Sequence, residues 1–216
     1  MIITELKAGV KNPNRVNVFI DGKFSFSLDM AQVVEFKLKV GSEISDEQLA
    51  EFKSASDFGK LYQRTLEWVL VRPRSEKEVR DYLARKSRSS SSDTLKAVRP
   101  SLWSSEESSE LSQKIITHLI ERGYLNDKTF AEYYVENRFI KKGISKKRLR
   151  LELIKKGISS EIIDEVLDRR NDEEEILKII AKKRSKYDDE KLINYLARQG
   201  FSFELARELV HSYEKD

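Results

Sequence analysis

A helical segment that recurs along the chain constrains the fold more than any other feature of the sequence. The stretch 145–167 aligns with the stretch 188–210, about 43 positions later. The aligned residues are of the same type: Leu149 and Leu192, Leu153 and Leu196, Gly157 and Gly200, Ile162 and Leu205, Val166 and Leu209. A shorter copy begins at Ser75. A period of this size, with several helices in each unit, is typical of stacked helical repeats, which bind partners along their surfaces.

Each copy carries the signals of a helix start and a helix end. Ser75, Ser145 and Asp188 precede amphipathic runs, where their side chains can accept a hydrogen bond from a free helix-start amide. Gly157 and Gly200 follow the last periodic residue, where a left-handed conformation is favoured. The middle helix of each unit is therefore predicted to lie between these residues.

The other two helices of each unit follow from the same periodicity. Opening helices are predicted at 58–71, 127–142 and 172–187, and Ser159 and Ser202 are predicted to cap the third helices. The apolar residues of the third helices are predicted to be Leu111, Ile115 and Leu119 in the first unit, Ile162 and Val166 in the second, and Leu205 and Leu209 in the third.

The first fifty residues follow a different pattern. Two alternating apolar triplets flank Asp21-Gly22, which is typical of a β-hairpin: Val16, Val18 and Ile20, then Phe24, Phe26 and Leu28. We predict a three-residue loop with Gly22 left-handed, which brings Val16, Val18, Phe24 and Phe26 to one face. A third strand is predicted at 2–7 or at 38–40, with a short helix at 30–36 and a helix start at Ser45.

The segment 87–109 is rich in serine, contains Pro100 and lacks helical periodicity. Segments of this composition bury too little apolar surface to offset the entropy of ordering. We predict an insertion that is dispensable for folding. A regulatory loop anchored by Leu102 and Trp103 is the alternative.

The fold class predicted from these patterns is mainly α. Tandem three-helix repeats form an elongated, curved array after a small β-hairpin-containing domain. The predicted domains are 1–54 (β-rich extension), 55–125 (repeat 1, with the insertion 87–109), 126–170 (repeat 2) and 171–216 (repeat 3).

Composition narrows the class of protein. The chain has 41 Lys and Arg against 37 Asp and Glu, so the distribution of charge is more informative than the net charge of +4. It has no cysteine, which excludes disulfides and suits a reducing compartment. No apolar run approaches membrane-spanning length, and the N-terminus does not resemble a signal peptide. We expect a cytoplasmic monomer without a membrane partner.

The strongest local sign of function is a basic stretch in the middle copy. Between 138 and 156 Glu152 is the only acidic residue. The candidate binding residues are Arg138, Lys141, Lys142, Lys146, Lys147, Arg148, Arg150, Lys155 and Lys156, together with Arg74. Like charges at helical spacing repel, and a fold tolerates them more readily when the partner is a polyanion. The stretch predicts contact with nucleic acid or with an acidic protein groove, and a solvated helical hairpin is the alternative.

Catalytic and cofactor sites find little support. His118 and His211 have no second ligand at metal spacing. The acidic clusters at 172–175 and 188–190 lie at helix starts, where the helix dipole accounts for them. The chain has 8 glycines and no phosphate-binding loop. The sequence therefore predicts no catalytic centre, no metal and no cofactor.

Several segments closely resemble the bacterial RecX family. They are 72–83, 119–131, 134–138 and 142–158, and the hairpin at 21–26 is similar to that of longer members. The most specific series, in order, is Gly-Tyr-Leu-x-Asp at 123–127, Phe-Ala at 130–131, Tyr-Val-x-x-Arg at 134–138, Lys-Gly at 142–143, Arg-Leu-x-x-Glu-Leu at 148–153 and Lys-Gly-Ile at 156–158. The insertion departs from the family pattern.

The resemblance implies a modulator of the RecA recombinase, most often an inhibitor, that lodges in the groove of the RecA nucleoprotein filament. The basic stretch adds single-stranded or double-stranded DNA as a second, weaker partner. Two other hypotheses stay open: a nucleic-acid-binding repeat protein that acts independently of RecA, and a metal-dependent nuclease, which the missing ligand set disfavours.

Overall fold

The computed structural model describes residues 1–10, 12–88, 105–141 and 143–213, without the side chains of 87, 88, 105 and 138–141. Three antiparallel strands open the chain: β1 (Ile3–Ala8), β2 (Arg15–Ile20) and β3 (Lys23–Asp29), in the order β1-β2-β3. The third strand therefore comes from the first of the two predicted segments.

The hairpin between β2 and β3 differs from the prediction. Ile20 pairs with Lys23, and Asp21 and Gly22 between them have φ values of 48° and 78°, so the loop has two residues and not three. The register then shifts, because Val18 pairs with Phe26 whereas Phe19 pairs with Phe24. After this bulge at Ser25, Phe26 and Leu28 again point to the buried face of the sheet.

The bulge decides which apolar residues reach the core. Phe26 and Leu28 are buried with Val16 and Val18, as the alternation requires, but Phe24 is 51% exposed. The prediction that Phe24 shares a face with Val16 and Val18 is wrong, since Phe24 precedes the bulge and packs edge-on against Phe19.

Helix α1 (Met30–Glu35) confirms the predicted short helix, and α2 (Asp46–Leu70) begins at the predicted cap Ser45. The segment predicted as a second helix from 58 is part of α2, which runs without a break for 25 residues. Its first half packs Phe52 against the sheet, and its second half packs Val69 into the next cluster. The sheet and the first helical unit therefore share one helix.

Eight further helices follow, within the described residues: α3 (Glu76–Arg88), α4 (Ser105–Glu121), α5 (Asp127–Lys141), α6 (Lys146–Lys155), α7 (Ser160–Asp168), α8 (Asp172–Lys183), α9 (Asp189–Arg198) and α10 (Phe203–Ser212). With α2 they form three consecutive units of three helices. Apolar clusters form separately within α2–α4, α5–α7 and α8–α10, as expected of repeats in series.

The caps of the middle helices are confirmed. The amides of Glu78, Arg148 and Lys191 donate to the side chains of Ser75, Ser145 and Asp188. Ser159 accepts from the amide of Ile162 as predicted, whereas Ser202 makes no capping hydrogen bond.

The cores of the third helices differ by one position from the prediction in two units. Ile163 and Leu167, and likewise Ala206 and Val210, are the buried residues, and the predicted positions are only partly buried. In the first unit Leu111, Ile115 and Leu119 are buried as predicted.

The ends of the serine-rich segment are helical, contrary to the prediction for 87–109, because α3 continues to Arg88 and α4 begins at Ser105. The predictions for residues 89–104, including Leu102 and Trp103, concern a part of the chain that lies outside the described residues.

Candidate functional site

Helix α6, which carries most of the basic stretch, is attached to both neighbouring units by equivalent polar junctions. At the first junction the Glu76 amide donates to the Asp127 carboxylate over 2.8 Å, and the Ser75 hydroxyl donates to the Lys156 carbonyl over 2.9 Å. Burial raises the pKa of Asp127, against the effect of the Glu76 hydrogen bond. The start of α3 thus rests on the first residue of α5 and the end of α6.

The second junction repeats this arrangement one unit later. The Lys146 amide donates to the Asp172 carboxylate over 2.8 Å, and the Ser145 amide donates to the Gln199 carbonyl over 3.3 Å. Asp172 is the first residue of α8, as Asp127 is of α5. The middle unit therefore lies between two similar junctions, which orient α6 relative to both neighbours. They differ in one donor, which is the Ser75 hydroxyl at the first junction and the Ser145 amide at the second.

Two glycines at these junctions combine a left-handed backbone with too little space for a side chain. Gly200 has φ of 92°, and a Cβ there would lie 2.7 Å from the Ser145 hydroxyl oxygen. Gly157 has φ of 82°, and its Cβ would lie 2.8 Å from the Lys77 Cβ. The glycines were predicted from helix-end chemistry alone, and the structure adds that the start of a helix from the preceding unit packs against each of them.

Replacing Gly200 with alanine should therefore destabilise the chain by more than the cost of placing alanine in a left-handed conformation. Gly123 is the matched control, since its φ is 73° but nothing lies within 4 Å of its added Cβ. Both variants incur the cost of a left-handed alanine, about 1 kcal/mol. Overpacking adds about 1–3 kcal/mol for Gly200→Ala only. Urea denaturation of both variants measures the difference, and equal losses would contradict the close packing at this junction.

Three residues of the basic stretch make contacts within the chain. Lys156 pairs with Glu78 of the first unit over 2.6 Å, and the Arg148 guanidinium donates to the Arg198 carbonyl of the third unit over 2.8 Å. Arg150 pairs with Asp164 of α7. Arg148 and Lys156 thus connect neighbouring units, and Arg150 joins two helices of its own unit.

The remaining described lysines of the stretch are available to a partner. Lys147 and Lys155 are exposed and Lys146 is half-buried, and none of the three has an ion pair within the described residues. The side chains of Arg138 and Lys141, and all of Lys142, lie outside the described residues, so their predicted roles concern atoms that the structure does not place.

Arg74 lies in the first unit, away from the stretch in sequence. Its guanidinium carbon is 3.9 Å from the centroid of the Trp68 ring, and Trp68 also stacks on Tyr82 with centroids 4.4 Å apart. Burial lowers the pKa of Arg74, and the charge of Arg72 lowers it further. The guanidinium is engaged by a cation–π contact in the folded chain.

Glu78 was not singled out from the sequence, yet it holds two basic residues at the first junction. Arg72 and Lys156 lie 3.2 Å and 2.6 Å from its carboxylate oxygens. Burial by itself raises the pKa of Glu78, but the hydrogen bonds and charges of Lys156 and Arg72 outweigh this effect, and the pKa lies below its ordinary value. The ionised carboxylate is therefore favoured by folding.

This depressed pKa predicts a pH dependence of stability. Glu78 makes its full contribution to the free energy of unfolding above the ordinary glutamate pKa of about 4.3. This contribution is lost as the pH falls through the lower pKa of Glu78 in the folded state. The variant Glu78→Gln should be less stable than the parent chain at pH 7, and the difference should shrink below about pH 4. Thermal unfolding at both pH values measures it. Glu136→Gln, at an exposed position on α5, is the control, and a constant difference for Glu78→Gln would contradict the assignment.

Neither a metal centre nor a membrane span is found in the described part of the chain. Its His, Asp and Glu residues form no group of three or more that could hold a metal ion. None of its helices combines the length and the apolar character needed to cross a bilayer.

Comparisons with known proteins agree with this architecture. The family model described as "Regulatory protein RecX N-terminal domain" matches residues 1–45, and the one described as "RecX, second three-helix domain" matches residues 126–167. A Regulatory protein RecX of Bacillus velezensis is 34% identical over 99% of this chain and 79% of its own length. One from Listeria monocytogenes is 28% identical over 96% of this chain and 74% of its own length.

Two solved structures share the fold. A crystal structure of regulatory protein RecX aligns with a TM-score of 0.69 and 22% identity over 98% of this chain and 99% of that one. The crystal structure of RecX from Lactobacillus salivarius aligns with a TM-score of 0.51 and 24% identity, over 73% of this chain and 96% of that one. The class of protein is thus a tandem three-helix repeat protein with an N-terminal sheet. Within that class, the chain belongs to the RecX family of regulatory proteins.

Proposed function

We propose that the chain binds the RecA recombinase and its nucleoprotein filament and inhibits strand exchange and ATP hydrolysis by that filament. The observation that carries the proposal is the similarity to regulatory RecX proteins over almost the whole chain. The repeat architecture supports it, because units in series present a long surface to an elongated partner.

The proposed mode of action is stoichiometric binding. Two equivalent junctions orient α6, and the lysines of this helix face outward where an anionic surface can reach them. Phosphate oxygens of DNA and carboxylates of a filament groove both suit such a surface. We propose that the chain contributes binding energy only and carries no catalytic centre, so that inhibition follows from occupancy of the filament.

The proposal extends to the organisation of the chain in cells. We propose domains at 1–54, 55–125, 126–170 and 171–216, with the first boundary inside α2, and a monomer that acts in the cytoplasm. Arg138, Lys141, Lys142, Lys146, Lys147 and Lys155 are proposed to contact the filament directly. The residues that bridge helices or units, Arg148, Arg150 and Lys156, are proposed to act through the position of α6, and Arg74 through its contact with Trp68.

The DNA-dependent ATPase activity of RecA tests the proposal. Purified chain added at less than one molecule per RecA subunit should lower the steady-state rate of ATP hydrolysis on single-stranded DNA, in proportion to the part of the filament that it occupies. An unrelated ATPase that is also stimulated by single-stranded DNA is the control, because it responds only if the chain covers the DNA. A lower rate of ATP hydrolysis by RecA, with no change for the control ATPase, supports the proposal.

The second candidate function is nucleic-acid binding without RecA, which the outward lysines of α6 also suit. It predicts that both ATPases lose activity equally and only once the DNA is covered. DNA cleavage that requires Mg²⁺ and persists through purification would instead contradict the non-catalytic mode of action.

A further inference from the structure

The outward face of α6 carries two apolar residues that are exposed in the described part of the chain. Lys147, Leu151, Ile154 and Lys155 are spaced by four, three and one residues, so they share one face of the helix. Leu151 is 53% exposed and Ile154 is 51% exposed. The core of this unit is formed from the opposite face, where Leu149 and Leu153 are fully buried.

The repeat supplies its own comparison for this face. Counted from the caps Ser75, Ser145 and Asp188, the four positions are occupied by Lys77, Asp81, Ala84 and Arg85 in α3 and by Glu190, Asn194, Ala197 and Arg198 in α9. In α3 the first two form an ion pair with 3.5 Å between Nζ and the carboxylate oxygen. The position of Leu151 is therefore polar in both other units, and the position of Ile154 is alanine. Leucine and isoleucine at these positions occur in the middle unit and in neither of the other two.

The charges around the two aliphatic residues indicate the chemistry of the partner. Lys147 and Lys155 flank them and are exposed, without an ion pair within the described residues. Arg150, next to Leu151, is paired with Asp164. The face thus has an apolar centre bordered by positive charge, and it complements an apolar centre bordered by carboxylates.

We propose that this face of α6 docks on an acidic protein surface with exposed apolar side chains, and not on a nucleic acid backbone. Phosphate groups are bound by basic and hydrogen-bonding groups, to which leucine and isoleucine contribute nothing. Protein partners, in contrast, gain affinity from burial of apolar side chains at the centre of an interface. The inference rests on the proposed function, in which the protein surface belongs to the recombinase subunits of the filament.

The double variant Leu151→Ser/Ile154→Ser tests this inference, because it removes the apolar centre without changing the charge. Its binding to RecA filaments on single-stranded DNA should weaken by about tenfold or more. Its binding to the same DNA without RecA, at the same salt concentration, should equal that of the parent chain. Asn194→Ser/Ala197→Ser, at the equivalent positions of α9, is the control and should leave both affinities unchanged.

The possible results separate the inference from the proposed function. If the parent chain binds filaments no better than bare DNA, the proposed function fails. If the parent chain binds filaments and the α6 variant binds them equally well, only the docking face is wrong. Equal weakening on bare DNA would assign the two residues to nucleic acid. A large drop in melting temperature would show that another part of this chain covers them. Either of these last results overturns the inference. If the inference holds, the conservative variant Leu151→Met/Ile154→Val should bind filaments as the parent chain does.

Discussion

Replacing Arg170 with methionine should lower the free energy of unfolding by about 3 kcal/mol, because it leaves a buried carboxylate without its buried counter-ion. The side chains of Arg170 and Glu175 are only 9% and 7% exposed, with 3.5 Å between the guanidinium nitrogen and the carboxylate oxygen. The same guanidinium donates to the Ile144 carbonyl over 2.7 Å, so it joins the loop before α6 to the third unit. Urea denaturation at pH 7 measures the loss.

The size of this effect depends on what is left around Glu175. Lys178 lies 3.2 Å from the other carboxylate oxygen, which limits the loss to the lower end of the range of about 3–5 kcal/mol for a broken buried pair. The double variant Arg170→Met/Glu175→Leu removes both charges and should recover much of the stability. A single variant as stable as the parent chain would show that the pair does not hold the second and third units together.

Reversing the charge of the three outward lysines of α6 should have the largest effect on binding. The triple variant Lys146→Glu/Lys147→Glu/Lys155→Glu should weaken binding to RecA filaments roughly tenfold or more, since attraction is replaced by repulsion whether the partner atoms are phosphate or carboxylate oxygens. If phosphates are contacted, the slope of log affinity against log salt should fall by up to about 2, at about 0.7 for each lost contact on a single strand. Fluorescence anisotropy with labelled DNA, at several salt concentrations, gives both values.

A second triple variant separates a local effect from a change in net charge. Lys39, Lys53 and Lys182 are exposed and lie outside α6, and their replacement by glutamate changes the net charge by the same amount. This control should retain most of the affinity for filaments. Equal weakening in the two variants would mean that only the overall charge matters and that α6 is not the binding surface.

Helix caps and helix ends could be predicted from the sequence because their chemistry is local. Ser145 and Gly157 act on amides and carbonyls a few residues away, so the cap and the left-handed turn follow from neighbouring residues. The hairpin loop was predicted wrongly for the opposite reason. Its register depends on a bulge at Ser25, three residues beyond the turn, and the alternating pattern alone does not locate it.

The contacts between units could not be read from local patterns. From the sequence, Asp127 and Asp172 were expected at the starts of opening helices, yet their carboxylates accept hydrogen bonds from amides 51 and 26 residues earlier. The basic stretch shows the same limit. The stretch itself contains a single acidic residue, but Glu78 and Asp164, which lie outside the stretch, pair with Lys156 and Arg150.

The outward face of α6, in contrast, was within reach of the sequence. Once Leu149 and Leu153 are assigned to the core, helical geometry places Leu151 on the opposite side. Aligning this helix with its two repeat copies then shows that only the middle unit has leucine and isoleucine there.

Cosedimentation with RecA filaments tests the central claim most directly. RecA is assembled on single-stranded DNA with a non-hydrolysable nucleotide, and the chain is added at equal concentration to these filaments or to the same DNA without RecA. The account predicts that the chain pellets with the filaments at a salt concentration where it does not bind the bare DNA. Pelleting that depends only on the amount of DNA, and does not increase when RecA is present, would contradict it.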